Sequence, residues 1–209
     1  MLKETLDNLH QLISEGQLES DARRALTVYR KMTGTAYLDD PSYENRMALF
    51  TEWFMFDYAK TVEGVSPVDF YIAGKHEISD RERHTLEALK KNIHDVFWVK
   101  WASGEQLKLW AMYLDKYFIV DGVENASMFR KHDLFEARIV DLNLKWYMLN
   151  GFCRHPASAY KFIYTQMKQI RDNKGEGLEE FIHRLASMSL MSERARNINV
   201  NEIYKTAAA

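Results

Sequence analysis

With 209 residues, 46% hydrophobic and 13% aromatic side chains, three prolines and nine glycines, the chain has the composition of an ordered protein with a large core, which excludes a disordered one. Its net charge of −2 provides no global field toward nucleic acid or anionic lipid, leaving only a local basic patch to do so. The single cysteine, Cys153, excludes an internal disulfide and any multi-cysteine zinc or iron–sulfur site, as expected of a protein from a reducing compartment.

The N-terminal stretch MLKETLDNLHQLISEG is charged and lacks the apolar centre of a signal peptide. No apolar run approaches the roughly 18–20 residues of a membrane span. A cytoplasmic protein with no membrane partner is therefore expected. Leu2, Leu6, Leu9 and Ile13 recur at helical spacing, and Gly16 supplies a stop. A second helix from Asp21 turns Ala25, Leu26, Tyr29 and Met32 inward and ends at Thr33-Gly34.

Asp40-Pro41-Ser42 opens a third helix, with Ser42 or Asn45 as its cap. Its core is Leu49 to Tyr58, LFTEWFMFDY, which is apolar on every side and so belongs inside the protein. Trp53 and Phe54 are expected in the core, with the carboxylates of Glu52 and Asp57 embedded beside them. A turn at Glu63-Gly64 follows. Ser66-Pro67-Val68-Asp69 combines a capping serine, proline at the first helical position and an acid in the first turn. Ser79-Asp80-Arg81-Glu82 matches a capping box, and its helix points Leu86, Leu89 and Ile93 inward. Residues 1–93 thus read as a helical unit.

The period then changes from 3.6 to 2. Val96 to Trp101, Gln106 to Leu114, Tyr117 to Val120, Leu134 to Leu142 and Lys145 to Phe152 read as five strands, turned at Ser103-Gly104, Asp115-Lys116, Asp121-Gly122 and Asn143. Residues 94–156 are expected to form a small antiparallel SH3/OB-like β-barrel. Pro156 ends the sheet. Residues 157–209 add C-terminal helices from Ala157 to about Ile170 and from Leu178 to Met188, and the terminal segment can add another turn. The fold class is α+β.

The segments Phe50–Tyr58, Ser66–Tyr71, Asp95–Trp101, His132–Val140 and Trp146–Gly151 resemble an uncharacterised prokaryotic family that often carries a SEC-C zinc motif. The resemblance implies a helical domain leading into a barrel-like unit and implies no enzymatic activity. The zinc motif needs several cysteines and is absent here. The family pattern also places glycine where this chain has His132, which puts the turn geometry there in question.

Among candidate sites, Glu52 and Asp57 lie about 140° apart around a helix and do not face each other. Pairing with a base such as Arg46 or Lys60 is the expectation, against an acid/base or metal role. His76, Asp80 and His84 would share one helical face, but Ser79 as a cap removes His76 from it. Arg130, Lys131, His132, Asp133, Glu136 and Arg138 form the densest charged cluster, read as a surface ion-pair ladder or a binding surface. Cys153 and His155, two apart on a strand, share a side, which allows a reactive thiol, although a buried, inert cysteine is the expectation. No nucleophile elbow or phosphate loop occurs, and no metal or cofactor is expected.

Trp98, Trp101, Trp110 and Tyr117 interleave with Lys100, Lys108 and Lys116, as in modules that stack bases and track phosphates. Core packing is the expected fate of most of these aromatics. Residues 94–155 hold eight Lys and Arg against eight Asp and Glu, which argues against strong phosphate binding. The expected function is therefore a non-catalytic, adaptor-type module that binds a protein partner, not an enzyme. The alternative is weak binding of RNA or single-stranded nucleic acid through the aromatic and lysine face, with Arg130, Lys131 and Arg138 beside it. The sequence leaves the oligomeric state open.

Overall fold

The computed structural model of the chain describes residues 2–14, 18–58, 64–74, 78–195 and 197–205. Five helices come first: α1 (Leu2–Ser14), α2 (Glu19–Thr33), α3 (Tyr43–Phe56), α4 (Pro67–Ala73) and α5 (Asp80–Leu89). Five strands follow: β1 (Ile93–Ser103), β2 (Gln106–Ala111), β3 (Lys116–Asp121), β4 (Leu134–Leu142) and β5 (Lys145–His155). Three helices close the chain: α6 (Tyr160–Asp172), α7 (Leu178–Arg194) and α8 (Val200–Ile203). The protein is α+β.

The capping signals act as local chemistry requires at two helices. Ser66 Oγ accepts the Asp69 amide and Ser79 Oγ accepts the Glu82 amide, both at 3.2 Å. At α3 the expectation fails. Ser42 makes no side-chain cap, because its Oγ accepts from Arg46 Nε at 2.7 Å, and Asn45 lies inside the helix. The predicted Gly16 stop and the residue Glu63 lie outside the described residues.

The strands close into a barrel in the order β1-β2-β3-β5-β4. The expected all-antiparallel sheet is corrected at one seam, where β3 and β5 run parallel through Val120↔Trp146 and Asp121↔Tyr147. The cause is topological. The chain leaves β3 through a 3₁₀ turn at Ala126–Met128 and lays β4 beside β1, so the returning β5 meets β3 in the same direction. The second strand also ends earlier than expected. Residues after Ala111 turn because the buried Asp95 carboxylate accepts the amides of Tyr113 and Leu114 at 3.0 and 3.1 Å.

Strand alternation sorts the side chains. Phe97, Val99, Leu107, Leu109, Val120, Phe135, Ala137 and Ile139 fill the barrel. Outside it, Val140 and Leu149 join Phe50, Trp53, Phe54 and Met55 of α3 in a second core with α1, α2 and α5. Val96, Met112 and Leu134 join α6, α7 and α8 in a third. At Gly151 the backbone of α3 lies close against β5, since a Cβ there would lie 2.6 Å from the Leu49 backbone nitrogen. The β5 strand bulges at this point: Ala137 pairs with Phe152, but Ile139 pairs with Met148.

Candidate functional site

Two outward faces of the barrel carry chemistry, one on β1–β3 and one on β4–β5. On the first, Trp98 stands opposite Trp110, Trp101 opposite Lys108, Trp110 opposite Tyr117, and Lys108 opposite Ile119. The register shifts between Val99 and Trp101, and this bulge lets Trp101 share the face of Lys108. Lys100 Nζ sits 5.1 Å over the Trp98 ring and 5.8 Å over Tyr117, while Lys108 Nζ sits 5.4 Å over Tyr117. Each ammonium is thus held above a ring face that attracts it.

Helix α6 covers one margin of this face. Tyr160 contacts Trp98 at 3.9 Å, Tyr164 contacts Trp110 at 5.7 Å, and the two tyrosines stack on each other within 2° of parallel. Beyond that margin Tyr117 and Ile119 remain 57% and 48% exposed. Core packing holds for two of these aromatics: Trp98 and Trp110 pack against the third core beneath α6. None of Trp98, Trp101, Trp110 or Tyr117 enters the barrel interior, because all four occupy the outward phase of the alternation.

The remaining predicted residues divide. Arg130 and Lys131 are exposed in the β3–β4 loop. Next to them His132 takes a left-handed backbone with φ 77°, the conformation glycine would favour, and its ring lies 5.4 Å from Trp98. Lys116 stands opposite Ala111 in the inward phase, at the exposed end of β3, and so leaves the face. Arg138 is excluded from any surface, being 2% exposed. Its guanidinium pairs with Asp57 and donates to Asn92 at 2.7 Å.

Glu136 and Arg138 do share one face, as alternation requires, but the expected surface ladder is corrected: both are buried beneath the helices. This is the β4–β5 face. Glu136 stands opposite Cys153, and His155 lies one pair further along, opposite Leu134. The carboxylate, thiol and imidazole bring ligand atoms within 4.8 Å of one another, a set that can hold a metal ion. Around them lie Glu52 of α3, His94 of β1 and His183 of α7, each buried or nearly so. Sequence reasoning placed Cys153 and His155 on one side but missed Glu136 as their neighbour. The signal is a register that depends on the β5 bulge.

Burial dominates the electrostatics here. It pushes Glu52 up to about 8 and Cys153 up to about 11, and it raises Glu136 as well. It lowers His155 to about 4 and His94 well below the ordinary imidazole range. At neutral pH these groups are therefore neutral imidazoles, a thiol and a protonated Glu52. Glu52 does not pair with Arg46, the one of its two expected bases that is described. Its Oε1 accepts the Gly151 amide at 2.6 Å, whereas Arg46 donates to Ala186 O and Ser189 Oγ. Lys60 and His76 lie outside the described residues. Asp80 and His84 are exposed on α5.

A family described as being of unknown function, DUF7986, matches residues 1–183. The chain belongs to that family. The DUF7986 match spans the helical unit, the whole barrel, α6 and α7 as far as His183, and so includes both faces described above. No curated protein and no solved structure matches the chain. Among the described residues, no helix is long and apolar enough to cross a membrane.

Proposed function

We propose that the protein is a cytoplasmic, non-catalytic binding module whose barrel is of the OB-like kind, and that its β1–β3 face takes single-stranded RNA or another single-stranded nucleic acid. The observation that carries this reading is the outward stripe of Trp98, Lys100, Trp101, Lys108, Trp110 and Tyr117 on a five-stranded closed sheet. OB-type barrels use the strand 2–3 face for oligonucleotides. Rings supply sequence-tolerant stacking and ammonium groups neutralise phosphates. At the outward positions of the three strands the charges are Lys100, Lys108 and the flanking Asp121, which is held by Gln106 at 2.6 Å. The face is therefore more basic than the evenly charged barrel as a whole. The test is quenching of tryptophan fluorescence by a single-stranded oligoribonucleotide at low and moderate salt. Quenching that weakens as salt rises is expected, and an unchanged spectrum overturns the reading.

A protein partner is the second reading, supported by a different place. Tyr37 and Leu38 are 59% and 83% exposed in the α2–α3 loop. Arg194 holds that loop, donating to Thr35 O at 2.7 Å and to Asp40, with its guanidinium 5.0 Å over the Tyr37 ring. A firmly held apolar loop suits an adaptor-type contact. Loss of partner capture on Leu38→Asp, with RNA quenching unaffected, would separate the two functions.

A further inference from the structure

We propose that Glu136, Cys153 and His155 form a buried site for one divalent transition-metal ion of the zinc class, on the helix-covered face of β4 and β5. The geometry begins with cross-strand pairing. Residues directly opposite on an antiparallel pair, together with their diagonal neighbour, place three side chains over one patch of sheet. Glu136 and Cys153 are the opposed pair and His155 is the diagonal one. Their ligand atoms already lie within 4.8 Å of one another. Tetrahedral zinc, with bonds near 2.0–2.3 Å, needs them about 3.5 Å apart, which side-chain rotation of about 1 Å supplies.

The second observation is the state of the individual atoms. Glu136 Oε2 and His155 Nε2 are buried and, among the described residues, have no hydrogen-bond partner. Buried polar atoms are rarely left so, because their desolvation goes uncompensated. In each residue the other polar atom is held. Glu136 Oε1 faces His94 Nε2 at 3.0 Å, and His155 Nδ1 faces Tyr204 Oη at 3.1 Å. That division, with one nitrogen or oxygen held by a neighbour and the other left to bind, is how outer-shell groups support metal ligands.

Charge selects the ion. A thiolate and a carboxylate neutralise a divalent cation, and the neutral imidazole adds a third ligand, so the loaded centre carries no net charge into the interior. A mixed sulfur, nitrogen and oxygen set suits zinc and disfavours calcium or magnesium, which prefer oxygen alone. Binding releases the Cys153 proton to solvent, since the ligand is the thiolate. His183 of α7 is buried on the same side, and among the described residues its Nε2 has no hydrogen-bond partner. A cavity of about 380 Å³ opens beside His94, whose Nε2 faces Glu136 Oε1, and its lining includes the carboxylates of Asp57, Glu179 and Glu180.

The test uses the full chain, stripped with a chelator and titrated with zinc or with cobalt(II) as a spectroscopic substitute. One equivalent of metal per chain, a thiolate-to-cobalt charge-transfer band and a higher melting temperature with zinc are expected. Cys153→Ala should abolish the band. Tyr204→Phe keeps the ring in its apolar place and removes only the hydrogen bond to Nδ1, so it should fold normally and bind zinc about tenfold more weakly or worse. No uptake of zinc or cobalt by the folded wild type, with a melting temperature indifferent to both, overturns the proposal and leaves buried water as the partner of these atoms. A charge-transfer band that survives Cys153→Ala overturns it equally.

Discussion

The amide of Gly151 on β5 donates to Oε1 of Glu52 on α3 at 2.6 Å, joining the helical unit to the barrel through a carboxyl group that burial holds protonated at neutral pH. Glu52 titrates near 4.5 when unfolded and near 8 when folded, so folding takes up a proton between those values. Stability contributed by the neutral form is fully present below pH 4.5 and is lost as pH rises toward 8, with a slope of at most about 1.4 kcal/mol per pH unit. Glu52→Gln copies the protonated acid. Urea midpoints at pH 5 and pH 8 should show the variant close to wild type at the lower pH and more stable at the higher. Identical pH dependence in both proteins would mean that Glu52 is ionised in the fold.

Gly151 itself is expected to tolerate no side chain. A Cβ would meet backbone atoms of Leu49 and Ala48 at 2.6 to 3.0 Å, and backbone cannot rotate aside as a side-chain tip can. Gly151→Ala should cost about 1–3 kcal/mol or more, as overpacking does. A thermal melt unchanged from wild type would show that α3 stands off from β5.

Arg138 and Asp57 form an ion pair with the base 2% exposed. Asp57→Ala leaves the guanidinium buried with Asn92 as its remaining strong acceptor, and should cost about 3 kcal/mol. Adding Arg138→Met should recover part of that loss, since an apolar pair can replace a buried ionic one. Chemical denaturation of the two single variants and the double variant measures the coupling. Simple additivity would mean that the pair contributes nothing as a pair.

The β4–β5 hairpin turns on Asn143 and Leu144, with φ of 58° and 64°, the two left-handed positions of a type I′ turn. Asparagine is at home there and leucine is not. Leu144 is 94% exposed, so nothing packs against it to compensate. Leu144→Gly should therefore stabilise the protein by about 1 kcal/mol, read as a higher melting temperature. A lower one would place an unseen contact at that side chain.

On the β1–β3 face, Tyr117→Ala should weaken single-stranded RNA binding by about 1–3 kcal/mol at any salt concentration. Lys100→Ala or Lys108→Ala should instead reduce the slope of log affinity against log salt by about 0.7 each, one phosphate contact apiece. Equal salt slopes for the wild type and both lysine variants would remove the lysines from the interface.

Much of this was legible from residue order where local chemistry decides. Ser66 and Ser79 cap because a serine hydroxyl beside a free helical amide has little else to do. The strands between Val96 and Phe152 follow from alternation, and alternation also puts Cys153 and His155 on one side. What lay out of reach depends on distant partners. Nothing near Glu136 or Arg138 in sequence reveals that α3 and α7 cover them, so the same alternating pattern reads equally well as a surface. Nothing near Glu52 reveals a glycine amide 99 residues away. The parallel seam between β3 and β5 follows from where β4 settles, and no local signal encodes that.

The contact between Leu49 and Gly151 also bears on the order in which the protein can fold. During synthesis, α3 is made long before the strand that covers it. Until β5 arrives, Phe50, Trp53 and Phe54 lack Val140 and Leu149, the barrel residues that complete their cluster. The barrel itself cannot close until β5 reaches β3 across the intervening hairpin. Loop-closure entropy is spent before these long-range contacts can repay it, so folding should be slow and concentrated late in the chain. An isolated fragment of residues 1–93 would leave Phe50, Trp53 and Phe54 of α3 without Val140 and Leu149, and apolar surface so uncovered promotes aggregation.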